Sequence, residues 1–383
     1  REEEEEEEDE GEGRGLGRGR GRPHAWGKPM RVVITGGQGF LGRELCRALL
    51  RGEGPRAAGG GAAEIERIVL FDVALPAGGA GEAIADPRVE SRAGDITDPA
   101  VCRALVCEAG EGPLSVFHMA GVMSGQAEKD FDTGLRVNLD GTRHMLEACR
   151  QRAGPRPVFV FCSSLAVFGE TYDGGPTRDT DKIVPKNTYG MTKACGELLV
   201  NDYTRKGFVD GRSARLPTVV VRPGLPNAAT TSCYSGVVRE PLHGVDVALP
   251  VARDLPHAVT STRALVRNLV ILHDAEWPEG LVDRSATLPS RPATLQQLVD
   301  ALLAVVPPEQ HGSLGKITDA EDEFLSRVVG GMGSNLSHDR AKRLGMVEVP
   351  DLQTVVREFV EDFGENVVVT LVGDTGKRRR LAS

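Results

Sequence analysis

The chain has 383 residues, of which 40% are hydrophobic and 26% are charged, and its formal net charge is −9. This length and composition are ordinary for a globular enzyme with a large buried core. Because no window approaches the roughly 20 consecutive apolar residues that a membrane-spanning helix requires, we expect a soluble protein with no membrane partner.

The cysteine pattern bears on the redox environment. The seven cysteines are odd in number, are scattered along the chain and include no Cys-x-x-Cys pair. This pattern argues against a disulfide framework and against a structural zinc site. We therefore expect a reducing, cytoplasmic environment and no bound metal.

The two ends of the chain differ in composition from the rest. Residues 1–29 combine a run of glutamates with alternating Gly and Arg, so they are predicted to be a disordered extension that forms no core. Met30 stands directly before the first predicted strand and is a candidate start of the functional chain. Residues 364–383, which end in basic residues, are interpreted as a tail. The folded domain is predicted to cover residues 30–363, and we expect its core to bind no nucleic acid.

Glycines cluster directly after the first predicted strand. The stretch 35–42 reads Thr-Gly-Gly-Gln-Gly-Phe-Leu-Gly and lies between the apolar run 31–34 and an amphipathic helical pattern. Gly36, Gly39 and Gly42 can adopt positive φ or allow close backbone approach, so a pyrophosphate can reach the free N–H groups at the helix start. A glycine triplet alone also fits an ordinary strand-to-helix turn, so this stretch is not decisive by itself.

A carboxylate stands at the end of the second predicted strand. That strand covers residues 65–71 and is followed by Asp72. A carboxylate at this point lies where the ribose 2′-hydroxyl of a dinucleotide binds, and a surface loop predicted at 52–63 accounts for its long spacing from the glycines. Because Asp72 would repel a 2′-phosphate, the cofactor is predicted to be NAD rather than NADP.

Apolar strands and amphipathic helices alternate through the first 222 residues. Further strands are predicted at 89–93, 115–118, 158–162 and 218–222, and helices at 131–150 and 189–204. This alternation indicates an α/β fold of the Rossmann type, with a doubly wound parallel sheet covered on both faces. We predict an NAD-binding part at about 30–222 and a smaller C-terminal substrate lobe mainly at 223–363. Within that lobe, helices are predicted at 294–305 and 351–363.

Side chains at strand ends are assigned to the cofactor. Asp95 follows the third strand and is predicted to accept a hydrogen bond from the adenine amino group. Ala120 and Gly121 follow the fourth strand, where small residues let a nicotinamide ribose approach. His118, at the end of that strand, is predicted to be structural rather than a catalytic acid or base.

Three residues are predicted to carry the chemistry. Ser164 follows the fifth strand, at the carboxyl edge of the sheet where ligands bind. Tyr189 and Lys193 lie four residues apart at the start of a helix and therefore share one face. Because a nearby ammonium favours the phenolate, Lys193 is predicted to lower the pKa of Tyr189. Tyr189 then takes the proton from a substrate hydroxyl, while Ser164 holds the reacting oxygen.

These motifs together resemble one family. The sequence is similar to the extended short-chain dehydrogenase/reductases, the NAD-dependent epimerase/dehydratase class, at the glycine stretch, Gly94-Asp95-Ile96, His118-Met-Ala-Gly121, Asn138-Leu-Asp-Gly-Thr142, Ser163-Ser-Leu-Ala-Val-Phe-Gly169, Tyr189-x-x-x-Lys193 and Arg222-Pro-Gly224. The resemblance covers about residues 30–363 and implies the same three catalytic residues. It also implies a homodimer formed through the helices at 131–150 and 189–204. Further cofactor contacts implied in this way are those of Phe40, Leu41, Ile96, Asn138 and Pro223.

Other stretches are similar to one subgroup of this family, the D-erythronate dehydrogenases. They lie at 124–128, 130–132, 136–143, 197–202, 207–212, 215–218, 226–229 and 238–242. The resemblance implies NAD-dependent oxidation of the C2 hydroxyl of a four-carbon sugar acid, D-erythronate to 2-dehydro-D-erythronate. Arg215 and Arg263 are candidate partners of the substrate carboxylate, although structural pairing also fits either arginine. The other predicted substrate contacts are Ser124, Gln126, Ser164, Tyr189 and Asn227.

Two alternatives remain open at this point. The first is a nucleotide-sugar epimerase or dehydratase that retains NAD, which would need a pocket for a uracil or thymine nucleotide. The second is a sensor or scaffold that binds NAD without turnover. Intact Ser164, Tyr189 and Lys193 argue against the second alternative, because a sensor has no need of a catalytic base.

Overall fold

The computed structural model describes residues 29–56, 63–75, 84–169, 175–224 and 229–372. Most of the extension predicted at the start of the chain, half of the loop predicted at 52–63, and Asn227 lie outside these ranges. Within them, no helix combines the length and the apolarity needed to cross a membrane.

Strands and helices alternate along most of the chain. The strands are β1 Met30–Thr35, β2 Ile65–Asp72, β3 Val89–Ala93, β4 Leu114–His118, β5 Val158–Ser164, β6 Asp210–Leu216, β7 Thr218–Val219, β8 Val247–Leu249, β9 His257–Thr260, β10 Ser285–Thr287, β11 Arg291–Ala293 and β12 Ile317–Asp319. The helices are α1 Phe40–Leu50, α2 Pro99–Cys107, α3 Ser124–Lys129, α4 Phe131–Gly134, α5 Gly141–Gln151, α6 Thr188–Arg205, α7 Cys233–Leu242, α8 Thr262–Asp274, α9 Leu295–Val305, α10 Glu323–Gly330, α11 Asp339–Arg343 and α12 Leu352–Phe363. A π-helical segment, Leu135–Asp140, joins α4 to α5.

Seven strands form one parallel sheet. Their order is β10-β6-β5-β4-β1-β2-β3, and every neighbouring pair is parallel. The order reverses between β1 and β4, and in open α/β sheets ligands bind in the crevice that such a reversal opens at the carboxyl ends of the strands. This sheet confirms the predicted Rossmann-type fold and places the glycine stretch beside the crevice.

Helices cover both faces of the large sheet. On one face, Leu45 of α1 and Leu269 of α8 belong to a buried apolar cluster with residues of β1, β2 and β5. On the other face, Leu105 of α2, Leu146 of α5 and Val200 of α6 pack in a second cluster. Strands that are buried on both faces read as continuous apolar runs, which is why the sequence predicted β1, β2, β4 and β5; β3, at the edge of the sheet, is more exposed.

The sixth strand of the sheet was predicted at the wrong place. The strand that pairs with β5 is β6, whereas the predicted run 218–222 contributes only the two residues of β7 to a different, three-stranded sheet. β6 escaped detection because it contains Asp210, Arg212 and Arg215, which are typical of a loop. All three are buried and paired, and the two side chains Asp210 and Arg212 lie 2.9 Å apart.

The smaller lobe has its own sheets and its own core. β11, β9 and β7 form one sheet, and β12 pairs with β8 in another. Tyr234 of α7, Leu302 of α9 and Phe359 of α12 belong to the lobe's apolar core. The predicted helices at 294–305 and 351–363 are confirmed as α9 and α12. α8 and β10 return to the large sheet, so a single boundary at residue 222 does not describe how the chain crosses between the two parts.

The segment that follows α12, up to residue 372, packs against the smaller lobe and is not a free tail. Val369 and Leu371 are buried in the core of the smaller lobe, and Val367 packs against it. The Val368 N–H donates to the carbonyl of Leu242 at 2.9 Å, and the Val372 N–H donates to that of Val305 at 2.8 Å. The predicted tail is therefore wrong for residues 364–372, where alternate apolar side chains extend the lobe. Residues 373–383 lie outside the described ranges.

Candidate active site

The glycine turn packs against the strands on either side of it. Gly36 has φ +69°, and a Cβ added there would lie 2.9 Å from the backbone nitrogen of Ala120, beyond the end of β4. A Cβ at Gly42 would lie 2.6 Å from the carbonyl oxygen of Gly36. A Cβ at Gly37, which the sequence analysis did not single out, would lie 2.7 Å from Leu70 Cα in β2. Side chains are thus excluded from the turn by backbone contact on both sides.

The start of α1 continues from this turn. Gly39 is the N-cap residue of α1 and has no side chain with which to cap the helix, and Phe40 and Leu41 are the first two helical residues. Unpaired N–H groups at a helix start carry partial positive charge and bind anions. The turn therefore presents backbone donors where the sequence predicted a pyrophosphate.

Asp72 lies beside the glycine turn at the end of β2. One of its carboxylate oxygens accepts a hydrogen bond from the N–H of Gln38 at 3.1 Å, and the other accepts from the N–H of Val73 at 2.8 Å. The N–H of Gly37 also donates to the Phe71 carbonyl at 3.0 Å. These contacts fix the carboxylate next to the turn, at the position expected for a residue that selects NAD.

Asp95 and Ile96 lie between β3 and α2. Asp95 is exposed, and one of its oxygens accepts a hydrogen bond from the N–H of Thr97 at 2.8 Å. Ile96 is buried, and a Cβ at Gly141 would lie 2.6 Å from its Cδ1 atom. Asp98 is the N-cap residue of α2, and its side chain accepts a hydrogen bond from the N–H of Ala100.

Asn138 connects the π-helical segment with the backbone that follows β4. Its Oδ1 accepts from the N–H of Val122 at 2.8 Å, and its Nδ2 donates to the Val122 carbonyl at 3.1 Å. A Cβ at Gly121 would lie 2.8 Å from Asn138 Oδ1 and 3.7 Å from Lys193 Nζ. Gly121 is therefore small because the Asn138 amide and the Lys193 ammonium occupy the space beside it.

His118 is a structural residue, as predicted. It is fully buried, and its two ring nitrogens lie 2.7 Å from Thr35 Oγ1 and 3.1 Å from Thr142 Oγ1. Burial lowers the pKa of His118 to about 3, with a smaller contribution from the charge of Lys193. The imidazole is neutral near pH 7 and joins β4 to β1 and α5.

The structure brings the three predicted catalytic residues together. Ser164 ends β5, and its Oγ accepts from the N–H of Ala166 at 3.1 Å. The Ser164 side chain is near enough to the Tyr189 hydroxyl to lower the pKa of the phenol. Lys193 Nζ donates to the Cys162 carbonyl at 2.8 Å and lies 5.6 Å from the centre of the Tyr189 ring. The start of α6 is fixed by Asn187, whose side chain accepts from the Gly190 N–H at 2.7 Å.

The pKa of Tyr189 lies above its usual value. Burial raises it to about 12, and the nearby Ser164 side chain opposes the rise. Burial also lowers the pKa of Lys193 to about 8. Desolvation of the phenolate is the largest cause of the shift in the protein chain alone, so the predicted lowering of the Tyr189 pKa by Lys193 stays a prediction.

Arg215 is not a ligand-binding arginine. It is buried, and its Nη2 donates to a carboxylate oxygen of Glu197 at 2.7 Å while its Nη1 donates to the Asp179 carbonyl at 2.9 Å. Glu197 also accepts a hydrogen bond from Ser163 Oγ at 2.5 Å. The predicted substrate role of Arg215 is wrong, because its charge is already neutralised inside the protein.

Arg263 is likewise committed to other side chains. Its guanidinium donates to Asp362 at 2.6 Å and to Glu361 at 2.9 Å, both on α12. These pairs raise the pKa of Arg263 above its usual value. The arginine joins α8 to α12, so the structure does not support its predicted role as a substrate partner.

Two of the remaining predicted substrate residues are described, and both lie on α3. Ser124 is buried, and its Oγ lies 3.4 Å from the Oγ1 of Thr230, in the segment before α7. Gln126 is exposed. The contact joins the chain that follows β4 to the chain that leads into the smaller lobe.

Comparison with known proteins identifies the family. The model of the NAD dependent epimerase/dehydratase family matches residues 32–258, more than half of the chain. The chain belongs to this family. A D-erythronate dehydrogenase of Cupriavidus necator is 41% identical over 88% of this chain and 99% of its own length. A D-erythronate dehydrogenase of Haemophilus influenzae is 36% identical over 87% of this chain and 99% of its own length.

Solved structures agree with this membership. A nucleoside-diphosphate-sugar epimerase from Agrobacterium tumefaciens superposes with a TM-score of 0.75, at 33% identity over 88% of this chain and 94% of that protein. A GalE-like L-threonine dehydrogenase from Cupriavidus necator superposes with a TM-score of 0.72 at 21% identity, over 87% of this chain and 99% of that one, and shows the shared fold. The protein is an NAD-dependent dehydrogenase of this family, and its cofactor is NAD.

The residues of the crevice fit that cofactor. The glycine turn leaves its backbone open to a pyrophosphate, because a Cβ at Gly36 or Gly42 would occupy the space. Asp72 offers a fixed carboxylate beside the turn. No group of three or more His, Cys, Asp or Glu side chains in the described ranges is arranged to hold a metal ion.

Three residues of this region were missed by the sequence analysis. Glu197 lies four residues after Lys193, so the helical period that pairs Tyr189 with Lys193 also places Glu197 on the same face. Gly37 lies within the glycine stretch, but its contact partner in β2 becomes apparent only in the folded chain. No sequence signal marks Thr230, whose partner Ser124 lies 106 residues away.

Proposed function

We propose that this dehydrogenase oxidises the C2 hydroxyl of a four-carbon sugar acid, D-erythronate, to 2-dehydro-D-erythronate. The observation that carries the proposal is the position of Lys193 Nζ 5.6 Å from the centre of the Tyr189 ring, with Ser164 near enough to lower the pKa of that phenol, in a chain 41% identical to a D-erythronate dehydrogenase. NAD, when bound, accepts the hydride from the substrate carbon. The residues proposed to hold it are Gly36, Gly39, Phe40, Leu41, Gly42, Asp72, Asp95, Ile96, Ala120, Gly121, Asn138, Tyr189, Lys193 and Pro223.

Tyr189 and Ser164 divide the handling of the substrate oxygen. Tyr189 is proposed to take the hydroxyl proton as the C2–H bond breaks, which requires its phenolate form. Ser164 Oγ is already fixed by the Ala166 N–H, so its own proton is directed toward a neighbouring oxygen. The pair thus orients the reacting hydroxyl and supplies the base, two effects that enzymes commonly combine in proton transfer.

Lys193 is proposed to supply the positive charge that Tyr189 needs. A phenol with a pKa of about 12 is a weak base near pH 7. Lys193, with a pKa of about 8, is mostly protonated at that pH, and its Nζ is fixed by the Cys162 carbonyl and lies 4.9 Å from the centre of the Phe161 ring. A fixed cation near the ring favours the phenolate.

We propose a homodimer whose interface is formed by the helical stretch from α4 to α5 and by α6. Phe131, at the start of α4, is 54% exposed, and Leu198 of α6 is 62% exposed. Large apolar side chains that remain exposed on neighbouring helices mark candidate contact surfaces. A mass measurement in solution by light scattering tests this state, and a monomer at micromolar concentration contradicts it.

A second candidate function is a nucleotide-sugar epimerase. The observation in its favour is the 33% identity to a protein named as a nucleoside-diphosphate-sugar epimerase. In such a reaction the hydride returns to the substrate, so NADH does not accumulate.

The deciding experiment follows NADH absorbance with purified protein, NAD and a panel of four-carbon sugar acids. D-Erythronate is expected to give the fastest formation of NADH, and the product is expected to be the 2-oxo acid by mass spectrometry. No NADH from any sugar acid, together with conversion of a nucleotide sugar to its epimer, would replace the proposal by the second candidate.

A further inference from the structure

The proposed substrate carries a carboxylate that needs a cationic partner. Arg215 and Arg263, the arginines suggested by the sequence, are both neutralised by carboxylates of the protein. The carboxylate of a 2-hydroxy acid is attached directly to the carbon that loses the hydride. We therefore expect the cationic partner of the substrate carboxylate to lie in a segment close to the carboxyl edge of the large sheet. This inference rests on the proposed function.

Arg222 lies on such a stretch of chain, shortly after β7. Its N–H donates to Ser235 Oγ at 3.0 Å, and its carbonyl accepts from Arg239 Nη1 at 2.7 Å. Both partners are on α7, so the backbone of Arg222 is fixed against that helix. The side chain is half-buried. Its position is therefore determined by the fold, as a binding residue requires.

The guanidinium of Arg222 makes no hydrogen bond or ion pair with any residue in the described part of the chain. Two buried arginines nearby in sequence are paired with carboxylates: Arg212 with Asp210 at 2.9 Å, and Arg239 with Glu240 at 2.5 Å. Burial and the like charge of Arg239 both lower the pKa of Arg222. Partial burial of a cation that has no carboxylate partner is unfavourable, and an anion bound there would relieve that cost.

The same stretch of chain reaches the crevice of the large sheet. Between Arg222 and Ser235, Thr230 contacts Ser124 at 3.4 Å, directly beyond the end of β4. Pro223, which follows Arg222, is a predicted cofactor contact. Arg222 is thus held against α7 of the smaller lobe, and Thr230 is held against Ser124 beyond the carboxyl end of β4, on the side of the sheet where ligands bind.

We infer that Arg222 binds the carboxylate of the sugar-acid substrate. Two parallel N–H groups of a guanidinium match the two oxygens of a carboxylate, so the pair is both charge-assisted and directional. Such a contact selects acids over neutral polyols. It also sets the orientation in which the C2 hydroxyl meets Tyr189.

The test compares Arg222→Met with wild-type protein, using D-erythronate and the neutral polyol erythritol. The KM for D-erythronate is expected to rise on the order of 10- to 100-fold, as for loss of a hydrogen bond to a charged group, while the affinity for NAD and the melting temperature stay close to wild type. Preference for the acid over the polyol should fall by the same factor. Arg222→Lys keeps the positive charge but lacks the two parallel N–H groups of a guanidinium, so its KM for D-erythronate should be intermediate.

The matched control is Arg253→Met. Arg253 is in the same lobe, but its guanidinium already pairs with Asp319 at 2.7 Å, so its KM should equal that of wild type. A KM within twofold of wild type in folded Arg222→Met would overturn the inference while leaving the proposed function intact. If Arg222→Met does not fold, the Arg222→Lys value decides on the same criterion.

A binding titration separates this inference from the proposed function. D-Erythronate is titrated into the NADH-loaded wild-type protein and the NADH-loaded Arg222→Lys variant, with NADH fluorescence as the signal. If wild type binds D-erythronate without oxidising it and the variant loses that binding, the Arg222 inference stands and the proposed function fails. If wild type neither binds nor oxidises D-erythronate, both fail.

Discussion

Ser163 Oγ donates a hydrogen bond of 2.5 Å to the carboxylate of Glu197, and so joins β5 to α6 directly behind the proposed catalytic residues. Tyr189, Lys193 and Glu197 follow one another at intervals of four along α6, and they contact Ser164, the Cys162 carbonyl and Ser163 respectively. Three contacts at helical spacing thus fix how α6 is rotated and where it lies along the end of β5. Catalytic geometry depends on this alignment, since misplacement of about 1 Å can lower a rate roughly 10²-fold.

Loss of the Glu197 charge is expected to affect stability and rate together. Glu197→Gln leaves the buried Arg215 without its carboxylate, which should lower the free energy of unfolding by about 3–5 kcal/mol. The turnover rate should fall as well, because α6 is no longer held in place. Urea titration and steady-state kinetics measure the two effects. Glu147→Gln, which breaks a partly exposed pair with Arg150, should cost at most about 1 kcal/mol and serves as the control.

Removal of the Tyr189 hydroxyl is expected to abolish most turnover without loss of the cofactor. Tyr189→Phe should lower kcat roughly 10²- to 10⁴-fold, the usual contribution of a general base. NAD affinity, measured by calorimetry, should stay within a few fold of wild type. Tyr203→Phe, on the same helix but bonded to Glu147, is the matched control. A near-normal rate in Tyr189→Phe would show that another group takes the proton.

Asp72 is expected to set the choice between NAD and NADP. Asp72→Ala removes the charge that repels a 2′-phosphate, so the ratio of kcat/KM for NAD to that for NADP should fall at least about tenfold. Asp95→Ala should change the two cofactors alike, because adenine is common to both. An unchanged ratio in Asp72→Ala would show that the carboxylate does not face the ribose.

The glycine turn offers a test that separates backbone strain from backbone contact. Gly36 has φ +69° and Gly52 has φ +80°, but only Gly36 would place a Cβ near another residue, 2.9 Å from the Ala120 nitrogen. Both alanine variants should lose about 1 kcal/mol through strain. Only Gly36→Ala should also weaken NAD binding, because it pushes the turn away from β4. Equal NAD affinity in the two variants would exclude close approach as the reason for Gly36.

Buried histidines predict that acid destabilises the fold. Burial lowers the pKa of His118 to about 3 and that of His257 to about 4, both below the usual value of 6.5. The unfolded chain therefore binds more protons, and stability falls as pH drops below about 6.5, by about 1.4 kcal/mol per histidine at pH 5.5. Urea titrations at pH 7.5 and 5.5 measure how much the free energy of unfolding falls between the two pH values. This fall should be about 1.4 kcal/mol smaller in His257→Gln than in wild type. Equal differences would mean that His257 is protonated in the folded protein.

The local features of the fold and of the candidate site could be predicted because they depend on neighbouring residues. Apolar runs placed β1, β2, β4 and β5, since strands buried on both faces need apolar side chains along most of their length. Helical spacing placed Tyr189 and Lys193 on one face, and the glycines marked the turn into α1. Asp72 was found because the end of a strand determines where its next side chain lies.

The charged interior could not be predicted in the same way. β6 reads as a loop because Asp210, Arg212 and Arg215 look solvated until their partners are known. Arg215 pairs with Glu197, which lies 18 residues earlier in the chain, and Arg263 pairs with Asp362, which lies 99 residues later. Whether an arginine is neutralised by the protein or available to a ligand depends on carboxylates that only folding brings near.

The sequence by itself determined the fold class, the position of the cofactor crevice and the residues proposed to be catalytic, all of which follow from patterns within one strand, turn or helix. Only the tertiary structure decided which arginine retains an uncompensated charge, where the lobe ends and how burial shifts the pKa of Tyr189. The physical reason is that ion pairing and desolvation depend on distances between segments far apart in the chain.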